Sequence, residues 1–217
     1  MEEEPFFIIE RRRMVEEQLL GRDISDSRVL EAMGTIPRQS FVTPEHRRLA
    51  YSDGPLPIGS GQTISQPYIV ALMTQLLKLT GDEVVLEVGT GSGYQAAVLC
   101  HLAREVHTIE RHAELARYAA RILKDLGFNN VFVHVGDGSR GMPDFAPYQG
   151  IVVTAASPGV PPTLLHQLDE HGSLVIPVGG RGGQYLERWY RHDSGYHHEI
   201  ITPVAFVPLL GDFGWEE

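Results

Sequence analysis

One stretch limits the fold more than any other. Val84-Val85-Leu86-Glu87-Val88 runs directly into Gly89-Thr90-Gly91-Ser92-Gly93, and Tyr94 then opens a helical pattern. A short apolar run ending in alternating glycines before a helix is a buried strand turning sharply into the helix that follows it. Such a unit buries itself in a parallel sheet covered by helices. The glycines let a ligand approach backbone that side chains would otherwise screen, and the free amides at the helix start favour a polar or anionic group. The spacing is not the Gly-x-Gly-x-x-Gly of a dinucleotide site, because Tyr94 stands where the third glycine would fall. With no Lys-Ser or Lys-Thr pair after the glycines, a P-loop is excluded too.

The rest of the chain agrees with this unit. The pattern predicts strands at Val106–Ile109, Val131–Val135, Ile151–Thr154 and Leu174–Val178, with helices at Tyr94–Leu102, Ala113–Leu126 and Pro162–Leu168 between them. Tyr185–Tyr190 and Glu199–Val207, flanking His192-Asp193-Ser194-Gly195, predict an antiparallel hairpin at the end of the sheet. Before residue 80 the reading is helical with loops. One helix is expected over Arg12–Leu20, stopping at Gly21. A second is capped by Ser25 and ends before Pro37, and a third covers Tyr68–Leu79. Residues 51–67, rich in Gly and Pro, read as a long functional loop. The expected architecture is α/β: a doubly wound, mostly parallel sheet with an antiparallel C-terminal hairpin and an N-terminal helical and loop extension. Residues 1–217 are expected to form one domain, with residues 1–80 carrying the substrate loop and 81–217 the core.

Composition narrows the partners. Lys and Arg total 18 against 28 Asp and Glu, a formal net charge of −10. That sign disfavours a phosphate-polymer binder or an anionic membrane surface. The single cysteine, Cys100, permits no intrachain disulfide and no cysteine-based zinc site, and is expected to pack in the core. The ten histidines have no metal-ligand spacing, and the neighbours His197 and His198 should face opposite sides of a strand. No metal is expected. Arg11-Arg12-Arg13 reads as a solvated helix face, and Asp53 as a turn residue. A cytoplasmic protein is the default, since the acidic-then-basic N-terminus reverses the order of a secretory signal.

Three strand ends then point to one ligand. Glu87 sits just before the glycines, where a carboxylate suits an ammonium or sulfonium. Glu110 ends the second strand, where an acid accepts the hydroxyls of a ribose. Gly136-Asp137-Gly138 follows the third; alone it is a turn, but in this company Asp137 suits an adenine amino group. An amino-acid head, a ribose and a base together make S-adenosylmethionine, and hence a methyltransferase.

The loop Gly61-Gln62-Thr63-Ile64-Ser65-Gln66-Pro67 behind Pro55-Leu56-Pro57-Ile58-Gly59, the Gly89–Tyr94 segment, Ile151–Ala156, Leu174–Gly179 and the tail Phe206-Val207-Pro208-Leu209 resemble the protein-L-isoaspartate O-methyltransferases. The glycine segment is shared by many methyltransferases, whereas the Gln-Thr-Ile-Ser-Gln-Pro loop is specific. The resemblance implies methylation of the α-carboxylate of L-isoaspartyl residues in damaged proteins and peptides, leading through a succinimide to partial repair and leaving S-adenosyl-L-homocysteine. It implies Ser65 as the catalytic residue and Ile64, Ser65, Val207 and Pro208 as substrate contacts. The implied cofactor set is Thr63, Ile64, Gln66, Glu87, Gly89, Thr90, Gly91, Ser92, Gly93, Glu110, Arg111, Asp137 and Gly138. A monomer is expected. Two positions depart from the family pattern: Gln149 stands where an Asp is usual, and Leu210 where a polar residue follows Val-Pro-Leu. A different acceptor, a small molecule or RNA, and a non-catalytic cofactor-binding protein are the other readings.

Overall fold

A computed structural model describes residues 4–192 and 195–216. The predicted strand Val84–Val88 (β3) lies at the heart of a seven-stranded sheet, between β4 (Glu105–Glu110) and β6 (Tyr148–Val153). β5 (Val131–Val135) forms one edge. Beyond β6 come β7 (Leu168–Gly180), β8 (Gly183–His192) and β9 (Gly195–Val204), giving the order β5-β4-β3-β6-β7-β8-β9. The five strands from β5 to β7 are parallel, and β8 and β9 are antiparallel to their neighbours. The antiparallel end is the expected one. Of the predicted connection His192-Asp193-Ser194-Gly195, Asp193 and Ser194 lie outside the described residues.

Alternation along the strands builds two hydrophobic layers. Val85, Val106, Val152 and Val175 face a large cluster containing α1 (Pro5–Arg13), α2 (Ser27–Thr35), α3 (Pro67–Leu76), α4 (Tyr94–Cys100) and residues of α5 (Ala113–Asp125). Leu86, Ile151, Val153, Leu174 and Ile176 face the other side, with α6 (Pro162–His166) and Leu209. The first 80 residues thus share one core with the sheet. Phe7, Met14, Leu19, Val29 and Met33 are buried in the same cluster as Val85.

Several boundaries differ from the sequence reading. The first helix begins at Pro5, and its Met14–Leu20 part widens into π-type turns before Gly21. The cap of α2 is Asp26, whose side chain accepts from the Arg28 amide at 2.9 Å, rather than Ser25. The loop over 51–67 contains a small hairpin, β1 (Leu56–Gly59) paired with β2 (Gln62–Ile64). Of the basic run, Arg12 and Arg13 are exposed, but Arg11 is buried and donates to the Tyr51 hydroxyl. Asp53 sits in the expected turn, closed by the Gly54 amide donating to the Ser52 carbonyl at 2.8 Å, and its side chain also accepts from Gln66 Nε2 at 2.7 Å and pairs with Arg22, clamping the segment after β2. Cys100 is half-buried at the end of α4, and burial pushes its thiol up. His198 stacks on Trp189 and His197 on Tyr190, on opposite faces of the β8–β9 ladder as strand alternation demands.

Candidate active site

The carboxyl ends of β3, β4 and β6 open into a cleft, at the place where ligands bind open α/β sheets. Its floor is the turn after β3. Gly89 has φ +96°, and a Cβ there would stand 2.3 Å from Thr154 Oγ1, so only glycine fits without displacing the threonine. Thr154 follows β6 and donates to the carbonyls of Gly89 (2.6 Å) and Val88 (3.1 Å), locking the two strand ends together.

Glu87 is fully buried beneath this turn. Its Oε2 accepts from Thr108 Oγ1 at 2.5 Å, and Thr108 in turn contacts Thr90 Oγ1 at 2.5 Å. Its Oε1 is buried with no hydrogen-bond partner among the described residues. Burial, and the neighbouring Glu110 charge to a lesser degree, push the Glu87 carboxyl up to about 8, against the pull of the Thr108 hydrogen bond. Glu110 closes β4. Its oxygens accept from the amides of Gly91 and His112, both at 2.9 Å, which fixes the carboxylate at the cleft wall with lone pairs to spare.

The opposite wall comes from distant sequence. Thr63, Ile64 and Ser65 line it from the segment after the small hairpin, and Val207, Pro208, Leu209 and Leu210 line it from the tail. The tail is held in place by main-chain bonds. The Val207 carbonyl accepts from the Ala156 amide, and the Leu209 amide donates to the Ala156 carbonyl, both at 2.8 Å. Gln184 brackets Phe206 with one accepted and one donated bond.

A second cleft lies against the first, lined by Pro55, Gln66, Ile69 and the stretch from Pro203 to Val207. Thr63, Ser65, Thr154 and Val207 line both. Ser65 therefore stands in the partition between two spaces. Its carbonyl accepts from Arg38 Nη2 at 2.6 Å, and its hydroxyl has no hydrogen-bond partner among the described residues. A free hydroxyl there can donate to an oxygen arriving from the second cleft while facing the floor of the first.

Most of the residues picked from sequence converge on the first cleft: Thr63, Ile64, Ser65, Glu87, Gly89, Thr90, Gly91, Ser92, Glu110, Arg111, Gly138, Val207 and Pro208 line it. Three sit elsewhere. Gln66 lines the second cleft. Gly93 caps α4 and packs on Ala119. Asp137 faces an adjoining hollow, where its oxygens accept from Ser139 and from the Asp212 amide. Burial works to raise its carboxyl, but these bonds outweigh burial and hold it below the usual range, with Arg140 helping.

Among the lining residues not singled out from sequence are Thr154, Tyr94 and Gln95. Thr154 carried a usable signal, because it ends the Ile151–Thr154 run that the sequence pattern reads as a strand. Gln149, by contrast, begins β6. It accepts from the Val84 amide and donates to Asp169 at the far end of the sheet, so its departure from the family pattern does not touch the cleft. Leu210 does line the cleft, and it offers only apolar surface there.

A mostly parallel sheet of this order with an antiparallel end, and a crevice walled by glycines and two strand-end carboxyls, defines the class as a Rossmann-like methyltransferase. Comparison with known proteins goes further. The profile of the protein-L-isoaspartate(D-aspartate) O-methyltransferase family matches residues 10–213. A protein-L-isoaspartate O-methyltransferase of Methanoregula boonei is 55% identical over 207 residues, 95% of each chain. One from Roseiflexus castenholzii is 53% identical over 96% of this chain and 95% of its own. A solved structure named protein-L-isoaspartate O-methyltransferase superposes with a TM-score of 0.85 at 29% identity, covering 94% of this chain and 67% of that one. A Plasmodium falciparum structure, in complex with S-adenosyl-L-homocysteine, has a TM-score of 0.81 over 92% of this chain and 98% of its own; at 23% identity it supports the fold. The chain belongs to the protein-L-isoaspartate(D-aspartate) O-methyltransferase family.

Proposed function

We propose that the two clefts divide the family's reaction between them, the first holding S-adenosylmethionine and the second an L-isoaspartyl segment of a damaged protein or peptide. The observation that carries this division is the Ser65 hydroxyl, unpartnered among the described residues, in the wall common to both. The first cleft fits the cofactor on its own terms. The unpartnered Glu87 Oε1 suits a cationic group, and Glu110 retains lone pairs for ribose hydroxyls. Gly91 and Ser92 would flank the amino-acid end and Gly138 the base, with Thr90 and Arg111 completing the wall.

When bound, the cofactor supplies an electrophilic methyl group on sulfur. The acceptor is a carboxylic acid with an ordinary pKa near ~4, so it is ionised at neutral pH and needs no base to create the nucleophile. The chain's task is alignment and removal of water, which in favourable cases is worth roughly 7–11 kcal/mol. Ser65 Oγ donates one hydrogen bond to the acceptor carboxylate, orienting an oxygen without consuming its lone pairs. Ile64, Val207 and Pro208 supply the apolar surroundings, and the Pro203–Val207 stretch runs beside an extended peptide. Residues 1–217 act as one unit, because the acceptor wall is built largely from the first 80 and the tail. The net charge of −10 counts against a nucleic-acid partner and the lone cysteine suits a reducing, cytoplasmic compartment, and the enzyme is read as a monomer acting on protein clients.

The deciding experiment is methyl transfer from labelled cofactor to an isoaspartyl peptide and to its aspartyl twin. Label in the isoaspartyl peptide alone is the expected result. Equal labelling, or label in neither, would overturn the assignment.

A further inference from the structure

Arg38 is the most deeply buried charged side chain outside the cofactor cleft, and nothing above uses its charge. It lies in the single turn Arg38–Phe41 and has no exposed surface. Its Nε donates to the Ala50 carbonyl at 2.7 Å, and its Nη2 to the carbonyl of Ser65 at 2.6 Å. The guanidinium sits 4.7 Å from the ring centre of Tyr94, which lines the cofactor cleft. Among the described residues, Nη1 is buried without a partner and no carboxylate lies within ion-pair distance of the group. Burial lowers Arg38 only to about 10, so it stays charged at neutral pH.

A buried cation satisfied by carbonyls and a ring face, with no anion, is expensive to hold. Two carbonyl bonds could be made by a neutral donor. The charge acquires a purpose if an anion docks close by, and the acceptor carboxylate placed at the Ser65 hydroxyl is such an anion. We propose that Arg38 is the positioning residue of the acceptor site: by gripping the Ser65 carbonyl it aims the Ser65 hydroxyl, and it places a fixed positive charge behind the spot where the substrate carboxylate arrives. This rests on Ser65 being the acceptor contact. The fork geometry matters as well as the charge, since two donors must reach carbonyls from residues 50 and 65 at once.

The test uses the full chain carrying Arg38→Gln, Arg38→Lys, Arg38→Ala or Ser65→Ala. It reads kcat and KM for an isoaspartyl peptide, adenosyl-homocysteine affinity by calorimetry, and thermal unfolding. Arg38→Gln is expected to lower kcat/KM by about 10- to 100-fold, the range of a charge-assisted bond. Adenosyl-homocysteine affinity should stay within about twofold, which separates acceptor positioning from damage to the cofactor wall. Arg38→Lys, which keeps the charge, should recover part of the loss, and methylguanidine should restore activity to Arg38→Ala. If Arg38→Gln does not fold, Arg38→Lys decides on the same two readouts: lowered kcat/KM with intact cofactor affinity supports the role. Unchanged kcat/KM, or a parallel fall in cofactor affinity, overturns it. If Ser65→Ala keeps full activity, the acceptor reading fails and takes this inference with it. If Ser65→Ala is impaired while Arg38→Gln is not, only the role of Arg38 is lost.

Discussion

The floor at Gly89–Ser92 and the partition at Ser65 face the same space, but they are held by different kinds of contact. The floor is a run of adjacent residues, fixed by strand register and by bonds from the next strand ends: Thr154 to the Gly89 carbonyl, and the Gly91 amide to Glu110. The partition is assembled from remote pieces. Arg38 reaches across 27 positions to Ser65, and Gln184 across 22 to Phe206. A backbone turn tolerates almost no change in shape but needs few particular side chains. An assembled wall tolerates changes in shape but depends on a handful of long-range donors. The floor should therefore fail through backbone geometry and the partition through loss of single hydrogen bonds.

Four variants would break or sharpen that contrast. Gly89→Ala should have the largest effect. The positive φ costs ~1–3 kcal/mol for any other residue, and the Thr154 contact adds to it. Calorimetry should find adenosyl-homocysteine binding largely lost, and near-normal affinity would contradict the description of the floor. Ser65→Ala should come next. Turnover at saturating cofactor should fall by about 1.5–3 kcal/mol in transition-state terms while cofactor affinity holds. The reverse pattern would move Ser65 out of the acceptor wall. Glu110→Gln keeps one acceptor oxygen, so adenosyl-homocysteine should weaken by only about 1.5 kcal/mol, the low end for a charged hydrogen bond.

The fourth test reads a slope with pH rather than an affinity or a rate. Glu87 is raised from an ordinary 4.5 to about 8, so the folded protein holds a proton there that the unfolded chain releases. Its contribution to stability is complete below about 4.5 and is lost as pH rises through about 8. Unfolding curves of the ligand-free protein across that window should slope downward. Glu87→Gln should flatten the slope, and an unaltered slope would mean that another group carries it.

The same contrast decides what could be read before the fold was known. Val84–Tyr94 was legible because strand, glycine turn and helix are adjacent in sequence and each follows a local rule. Glu110 and Gly138 were legible because the strand-end argument extends across the sheet. The small hairpin at Leu56–Ile64 was hidden by the Gly and Pro that usually mark loops. β7 begins at Leu168, opposite Tyr148, and runs through an irregular polar stretch, Asp169–Gly172, before regular pairing resumes at Ser173. The turn motif marks Asp137 as a strand-end acid, but no local rule tells that a tail 75 residues away donates to one of its oxygens. Arg38, in Ile36-Pro37-Arg38-Gln39, carries no sign in the sequence that its donors are needed at positions 50 and 65.

Ser65 stands in a party wall, and both rooms open to solvent. Under the proposed division the two reactants would occupy different clefts and meet only at this shared wall. On that proposal, exchange of the spent cofactor would not by itself require a client with several lesions to leave its own cleft.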